Sequence, residues 1–428
     1  MNDSEKKQKK IYRLDNAANL YPAIRNKNRP GVFRVSADLV EPVNPDTLQA
    51  ALDITLKRIP GFSVKLRSGL FWHYFQHVDR KIMVQKDVSN PCTHMTEEST
   101  GGFLIRVRYN QNRIALESFH SITDGAGAMT FLKTLIAQYL NLSGIFISAT
   151  NGVLNCKNSP LDDENSDQFP SFARKKPIRK VEKSRAFHVR GTNLPSDEMK
   201  IIKGKVPINA LKHSAKNFNV TITEYLASIY LKVIHDYQLV HSIRLKLPIK
   251  LQIPVNLRKF QNTKTLRNFS AFVTPSIYPI HGEYTFLEIV ELVQHYLRYE
   301  TNKKHLQAQV AANLKYADNI LIRLLPLAFK NNLIFLGYKL MGPAYFTSTL
   351  SNLGMVRIPE EMKNHVKSFN FILGATNGTN ISCAALGYQD DIHISFSRVI
   401  EETDIERRFF TFLVEHGIPV YVESYQER

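Results

Sequence analysis

Cysteine is scarce in this chain. Its 428 residues hold only Cys92, Cys156 and Cys383, widely spaced and without C-x-x-C or zinc-finger spacing. That excludes a disulfide framework and fits a reducing compartment. Long apolar runs are missing as well: none reaches the roughly 18 to 20 residues that a membrane-spanning helix needs. The nearest, 320–341, is interrupted by Arg323, Pro326, Lys330 and Lys339. It reads as a buried or partly exposed helix pair, with peripheral membrane contact or an apolar tunnel wall as the other readings. The first ten residues are polar and charged, so no secretory h-region opens the sequence and a cytoplasmic location is expected. No G-x-S-x-G elbow, G-x-x-x-x-G-K-[ST] loop or G-x-G-x-x-G turn occurs, which argues against a serine hydrolase and the common nucleotide-binding folds.

Acidic residues are also in deficit. Thirty-eight Asp and Glu face 56 Lys and Arg, a net charge of +18. Such a balance suits nucleic acid, an acidic membrane surface or a polyanionic ligand. The charge is spread along the chain, however, and the one dense cluster, 174–190, reads first as a solvated linker. No recognition-helix or RNA-binding aromatic pattern accompanies it, so no nucleic-acid partner is expected. Apolar content of 43% and a charged fraction of 22% are those of a globular protein, and the length suffices for two domains.

Periodicity divides the chain. Strands are expected over 32–39, 62–66 and 71–75, with a helix over 45–59 whose apolar face is Leu48, Ala51, Leu52 and Leu56. Residues 103–109 and 113–119 form a hairpin across Asn110-Gln111-Asn112, and a helix over 126–141 follows. Apolar periodicity lapses between 151 and 195, where an acidic stretch (162–167) precedes the basic cluster. This reads as a linker or a long surface crossover. The pattern then restarts, with a strand over 201–208 and a short helix over 209–218. A capping box at Thr221 and Glu224 opens a helix to about 237. Strands over 243–255 and 271–278 follow, the second broken or at an edge because of Pro275. A mainly helical 285–317 leads to strands over 345–353, 379–386 and 391–397 and a last helix over 404–415. The expected units are therefore 1–150, a 151–195 crossover and 196–428.

The hexapeptide His120-Ser121-Ile122-Thr123-Asp124-Gly125 stands between the 113–119 strand and the following helix. A histidine fixed at a strand end suits proton abstraction from an acceptor. The aspartate can organise the turn, and the glycine lets a ligand approach the backbone. His120 and Asp124 as metal ligands would lack a third partner of convincing spacing, so no metal is expected.

This H-x-x-x-D-G pattern resembles the active-site motif of the CoA-dependent acyltransferase superfamily. That group takes in chloramphenicol acetyltransferase, plant BAHD enzymes, peptide-synthetase condensation domains, wax ester synthases and alcohol O-acetyltransferases. Two later segments strengthen the resemblance. Pro254-Val255-Asn256-Leu257-Arg258, leading to Arg267-Asn268-Phe269-Ser270, is similar to the P-V-x-x-R and N-F-S elements of wax ester synthases and alcohol acetyltransferases. Ser351-Asn352-Leu353-Gly354, followed by Val356 and Pro359, resembles their S-N-x-G segment. The order matches too, and the likeness runs from about residue 21 to 415, looking closest to bacterial alcohol O-acetyltransferases.

The resemblance implies an α/β fold of two chloramphenicol-acetyltransferase-like subdomains. Each would be a mixed β-sheet covered by helices, with an active-site tunnel between them. It implies acyl transfer, most readily acetyl, from acyl-CoA as co-substrate to a small-molecule alcohol, with no permanently bound cofactor and a monomeric chain. His120 would be the general base. Asp124 would hold the loop by pairing with Arg258, and Gly125 would line the CoA channel. Ser351 or Asn352 would donate to the oxyanion, and the basic 174–190 cluster is a weaker candidate for the CoA phosphates. Phe119 replaces the second histidine often found in condensation domains, the D-F-G-W-G element of plant enzymes is missing, and no carrier domain follows residue 400. These departures favour simple CoA-dependent transfer. Cys383 in its strand reads as a core thiol rather than a nucleophile. Phe71, Trp72, Leu325 and Tyr345 are equally suited to core or pocket lining. Transfer to an amine, transfer of a longer acyl chain, and a non-catalytic binding protein with its basic face on a membrane are the rival readings.

Overall fold

The computed structural model describes residues 11–15, 17–174, 184–241, 243–317, 324–341, 345–375 and 379–424. Residues 175–183 of the basic cluster and 320–323 of the apolar run lie outside them. Among the described residues, three sheets form. The first is mixed, in the order Val366–Leu373, Val32–Leu39, Arg113–Phe119, Ile105–Asn110, Gln85–Lys86, with only the last pairing parallel. Helices Pro45–Arg58 and Gly125–Leu142 pack on each other, and the second also lies against the two central strands. The first helix begins as its sequence dictates: the Asn44 side chain accepts from Thr47 N at 2.9 Å, and Pro45 takes the first helical position. Its Leu48, Ala51 and Leu52 are fully buried.

The larger second sheet runs Ser270–Val273, Ile249–Asn256, Ser348–Met355, Ile381–Tyr388, Asp391–Arg398, Lys200–Pro207, Tyr421–Ser424. Ser348–Met355 is parallel to both its neighbours, while the other pairs are antiparallel. Helix Ile222–Val240 covers it, started by the Thr221–Glu224 capping box and packed on Phe286–Glu300 and Asp404–Glu415. A small antiparallel sheet, Ile11–Arg13, His73–His77 and Val64–Ser68, completes the set. Each large sheet has its own apolar core.

Several boundaries differ from the sequence reading. The strand expected from 243 begins at Ile249, because 243–248 turn around Arg244, whose φ is +49°. The 271–278 strand is split at Pro275 into Ser270–Val273 and Ser276–Ile277, both paired with Ile249–Asn256. The helical 285–317 stretch is two helices, Phe286–Glu300 and Lys303–Ala317. Val366–Leu373 carries no strand expectation, yet it leaves the second half and joins the first sheet through Val32–Leu39. Its polar residues hide the alternation: Ser368 Oγ and Asn370 Nδ2 point inward to Asp38 Oδ2, at 2.7 and 3.0 Å.

The described part of 151–195 is bonded to residues on both sides of it in the sequence. Within it, Glu164 is buried and forms a two-pronged ion pair with Arg58, both oxygen–nitrogen distances being 2.6 Å. Its main-chain carbonyl accepts from Leu266 N, and Asp163 accepts from Lys264 N at 2.6 Å. The acidic stretch thus anchors the segment through Asp163 and Glu164. Glu164→Ala would strand the buried Arg58 guanidinium, and thermal or urea unfolding should show a loss of about 3–5 kcal/mol. Replacing Arg58 and Glu164 together by methionine and leucine should recover most of that loss. A Glu164→Ala protein as stable as wild type would contradict the anchoring role.

Candidate active site

The strand Arg113–Phe119 delivers His120 to the seam between the halves. His120 N donates to Gly31 O at 2.8 Å, and Ile122 N closes a turn on Phe119 O at 3.0 Å. The chain then enters the Gly125–Leu142 helix with Asp124 as its N-cap, whose Oδ1 accepts from Gly127 N at 3.0 Å. Gly127 has no room for a side chain, since a Cβ there would collide with Leu266 O and Thr123 Oγ1. Phe131, Leu132, Leu135 and Ile136 of this helix are fully buried, so the turn rests on a rigid base.

The other half supplies the counterpart. After strand Ile249–Asn256, Arg258 reaches across the seam. Its Nη1 donates to Asp124 Oδ2 at 2.8 Å and to Asn256 Oδ1 at 3.3 Å. Its Nε and Nη2 donate to the carbonyls of Thr265 and Arg267, at 2.9 and 2.5 Å. Phe269 N also donates to Asp124 Oδ2, at 2.9 Å. One carboxylate therefore caps a helix, binds an arginine and fixes a loop. Burial pushes its pKa up, but the Arg258 charge and hydrogen bond and the two amides outweigh this and leave it below the usual aspartate value.

That loop places Asn268 against the histidine. Asn268 Nδ2 faces three acceptors: His120 O at 3.0 Å, Ser121 O at 3.3 Å and Asp15 Oδ2 at 3.3 Å. With its NH₂ so committed, Asn268 Oδ1, 3.1 Å from His120 Nδ1, has to accept from that nitrogen. The neutral imidazole then carries its proton on Nδ1 and keeps a lone pair on Nε2. Its pKa lies below the ordinary histidine value. Burial is the main cause, and the ring's own carbonyl, the Asp124 charge and Asn268 oppose it. The ring is stacked on Tyr21, with centroids 4.7 Å and planes 10° apart, and Phe33 lies 5.0 Å away at 59°. Asp15 is fully buried; burial lifts its carboxyl to about 6, against the lowering effect of Arg267, whose Nη2 is 3.5 Å away.

His120, Asp124, Gly125, Asn268, Ser351 and Asn352 all line one cavity of about 1830 Å³ between the halves. A Cβ on Gly125 would come within 2.6 Å of Leu353 Cδ2, so the absence of a side chain there lets the Ser351–Gly354 segment close on the helix start. Asn352 is held at both ends of its amide: Nδ2 donates to Thr223 Oγ1 at 3.0 Å, and Oδ1 accepts from Gly354 N at 2.9 Å. Ser351 is buried and makes no hydrogen bond through its hydroxyl among the described residues. Among the described residues, the wall includes seven cationic side chains, Arg25, Arg29, Lys259 and Arg357 being four of them, against Asp124, Glu224 and Glu300. Tyr345 lines the cavity, whereas Phe71, Trp72 and Leu325 are not among its lining residues. Cys383 belongs to the second core, fully buried, with its thiol pKa pushed up by burial.

Sequence reasoning missed Asn268 as a site residue, although the asparagine stood inside the Arg267–Ser270 segment singled out for its pattern. It also missed Asp15, Tyr21 and Phe33. No motif marks them, because their relation to His120 exists only once the strands and the seam have formed.

No family model matches the sequence, and no curated protein is significantly similar to it. Solved structures do match. TRI101 of F. graminearum, complexed with coenzyme A and T-2 mycotoxin, superposes with a TM-score of 0.64 at 10% identity, covering 97% of this chain and all of TRI101. The first condensation domain of the CDA synthetase gives 0.62 at 13% identity, with 95% of this chain and 96% of that domain covered. The condensation domain of the Monacolin K polyketide synthase MokA gives 0.59 at 10% identity over 95% and 96%. The chain therefore has the two-subdomain α/β fold of TRI101 and the condensation domains, with each subdomain built on its own sheet.

Proposed function

We propose that this chain transfers an acyl group, acetyl being the first candidate, from acyl-CoA to an alcohol hydroxyl. The observation that carries the reading is the neutral His120 ring in the cavity wall, its Nδ1 proton fixed by Asn268 and its Nε2 free to accept. Two features support CoA as the acyl carrier: the cationic bias of the wall, and a fold shared with TRI101, which binds coenzyme A and, in another structure, ethyl coenzyme A. The cavity exceeds the roughly 300–1,000 Å³ typical of a site for one small ligand, so both substrates fit together.

The chemistry follows from that arrangement. The acceptor O–H donates to His120 Nε2 and its oxygen attacks the thioester carbonyl. The carbonyl oxygen becomes an oxyanion, to which the unengaged Ser351 hydroxyl can donate; the Asn352 amide is already committed to Thr223 and Gly354. Collapse breaks the C–S bond, and the imidazolium returns its proton to the thiolate, leaving ester and CoA thiol. No covalent enzyme intermediate is needed, since Cys383 is sealed in the core. Asp124 and Arg258 hold the frame and take no proton.

Thiol release from acetyl-CoA and longer acyl-CoAs, across alcohols and amines, tests the reading. Acceptor-dependent release should fall about 10²- to 10⁴-fold in a folded His120→Ala protein. Equal rates would remove His120 as base, amine-only turnover would make the chain an N-acyltransferase, and silence with every pair would favour a binding protein. Asp124→Ala should lower unfolding stability by about 3–5 kcal/mol as well as turnover, because it leaves Arg258 without its carboxylate. Loss of rate with unchanged stability would contradict the framing role.

A further inference from the structure

The helix Leu327–Met341 presents apolar residues on two sides. Its inner side buries Leu327 and is fixed to the turn before His73: Leu327 N donates to Leu70 O, and Lys330 Nζ to Phe71 O, both at 2.8 Å. Its outer side carries Phe329, Leu333 and Leu336, spaced to share one helical face and 65%, 57% and 52% exposed. Leu324, Leu70 and Trp72 are each more than half exposed as well, and Leu70 and Trp72 stand in the turn to which the helix is fixed. Single exposed apolar residues are ordinary, but three on one face of a helix joined to a turn that exposes Leu70 and Trp72 mark a contact surface.

Cations occur on this helix and on the small sheet it is fixed to. Lys330 Nζ lies 5.6 Å from the Trp72 ring centroid. Arg13 and Arg67 are exposed on the small sheet whose turn carries Leu70 and Trp72. A second copy of this chain, at +18, would bring like charges together here, whereas anionic lipid attracts them. Tryptophan beside a long-stemmed lysine suits the boundary between headgroups and acyl chains. We propose that this face docks on an anionic phospholipid surface, with Phe329, Leu333 and Leu336 entering the interface. The Leu20–Ile24 helix packs against the docking helix and lines the cavity through Leu20, Tyr21 and Ile24. A lipophilic alcohol leaving the bilayer would thus meet the wall on which His120 is stacked. That delivery role rests on the acyl-transfer reading; the docking does not.

Sedimentation of the full chain with phosphatidylcholine vesicles, with and without phosphatidylserine, tests the docking. The wild type should co-sediment with phosphatidylserine-containing vesicles, less so as salt rises. The triple variant Phe329→Ser, Leu333→Ser, Leu336→Ser should bind at least about tenfold more weakly. Circular dichroism and turnover on a water-soluble alcohol check that this exposed-site variant is intact. No sedimentation of wild type with either vesicle, or equal sedimentation of both proteins, overturns the proposal. Concentration-dependent dimerisation that the triple variant loses, without vesicle binding, assigns the face to a second copy and also overturns it. Absence of turnover with every acceptor would refute the acyl-transfer reading while leaving the sedimentation result standing.

Discussion

One buried carboxylate joins the two halves. Asp124 spends one oxygen on the start of its own helix and the other on Arg258 and on the amide of Phe269. The first bond fixes the turn that carries His120. The second and third fix the loop that carries Asn268. The two parts of the site come from segments more than 130 residues apart, as the 134-residue separation of Asp124 and Arg258 shows. Breaking this contact would release both parts together, and a hydrophobic substitute could not reproduce its directed bonds.

The electrostatics of the site follow from how well each buried charge is paired. Asp124 has a guanidinium at 2.8 Å and two main-chain amides, and its pKa lies below normal. Asp15 is as deeply buried but has its arginine at 3.5 Å and its strongest bond to a single amide, Ala18 N, at 2.7 Å; its carboxyl rises to about 6. Desolvation is the same kind of penalty in both, and pairing decides the sign. His120 lies between them without a carboxylate on its ring, so burial dominates and keeps it neutral. An amide partner at Nδ1 orients the ring as a carboxylate would, without raising its basicity as strongly.

Much of this was legible in the sequence, and the exceptions share a cause. The Arg113–Phe119 strand, the helix after it and the Thr221 capping box are local, and period and cap chemistry place them within a residue or two. Val366–Leu373 was not legible, because its half-buried serine and buried asparagine bond to Asp38, which erases the expected alternation. Glu164 stands in an acidic stretch that reads as part of a linker or long surface crossover, and only the pairing with Arg58, 106 residues away, makes it a buried anchor. At the site, His120 announces itself by its motif. Asn268 and Tyr21 do not, since a hydrogen bond and a ring stack across the seam are properties of the folded chain alone.

The proposed acyl transfer depends on His120 standing ready as a neutral base with its lone pair on Nε2. Imidazole nitrogen NMR on isotopically labelled protein, followed through a pH titration, reads this directly. The predicted result is a single Nδ1–H tautomer at neutral pH that protonates below 6.5, the ordinary histidine value, with stability falling as pH drops through that region because the unfolded chain takes up the proton first. An Nε2–H tautomer, or an imidazole already charged at neutral pH, would contradict the account, because neither leaves a lone pair at Nε2 to receive the acceptor's proton.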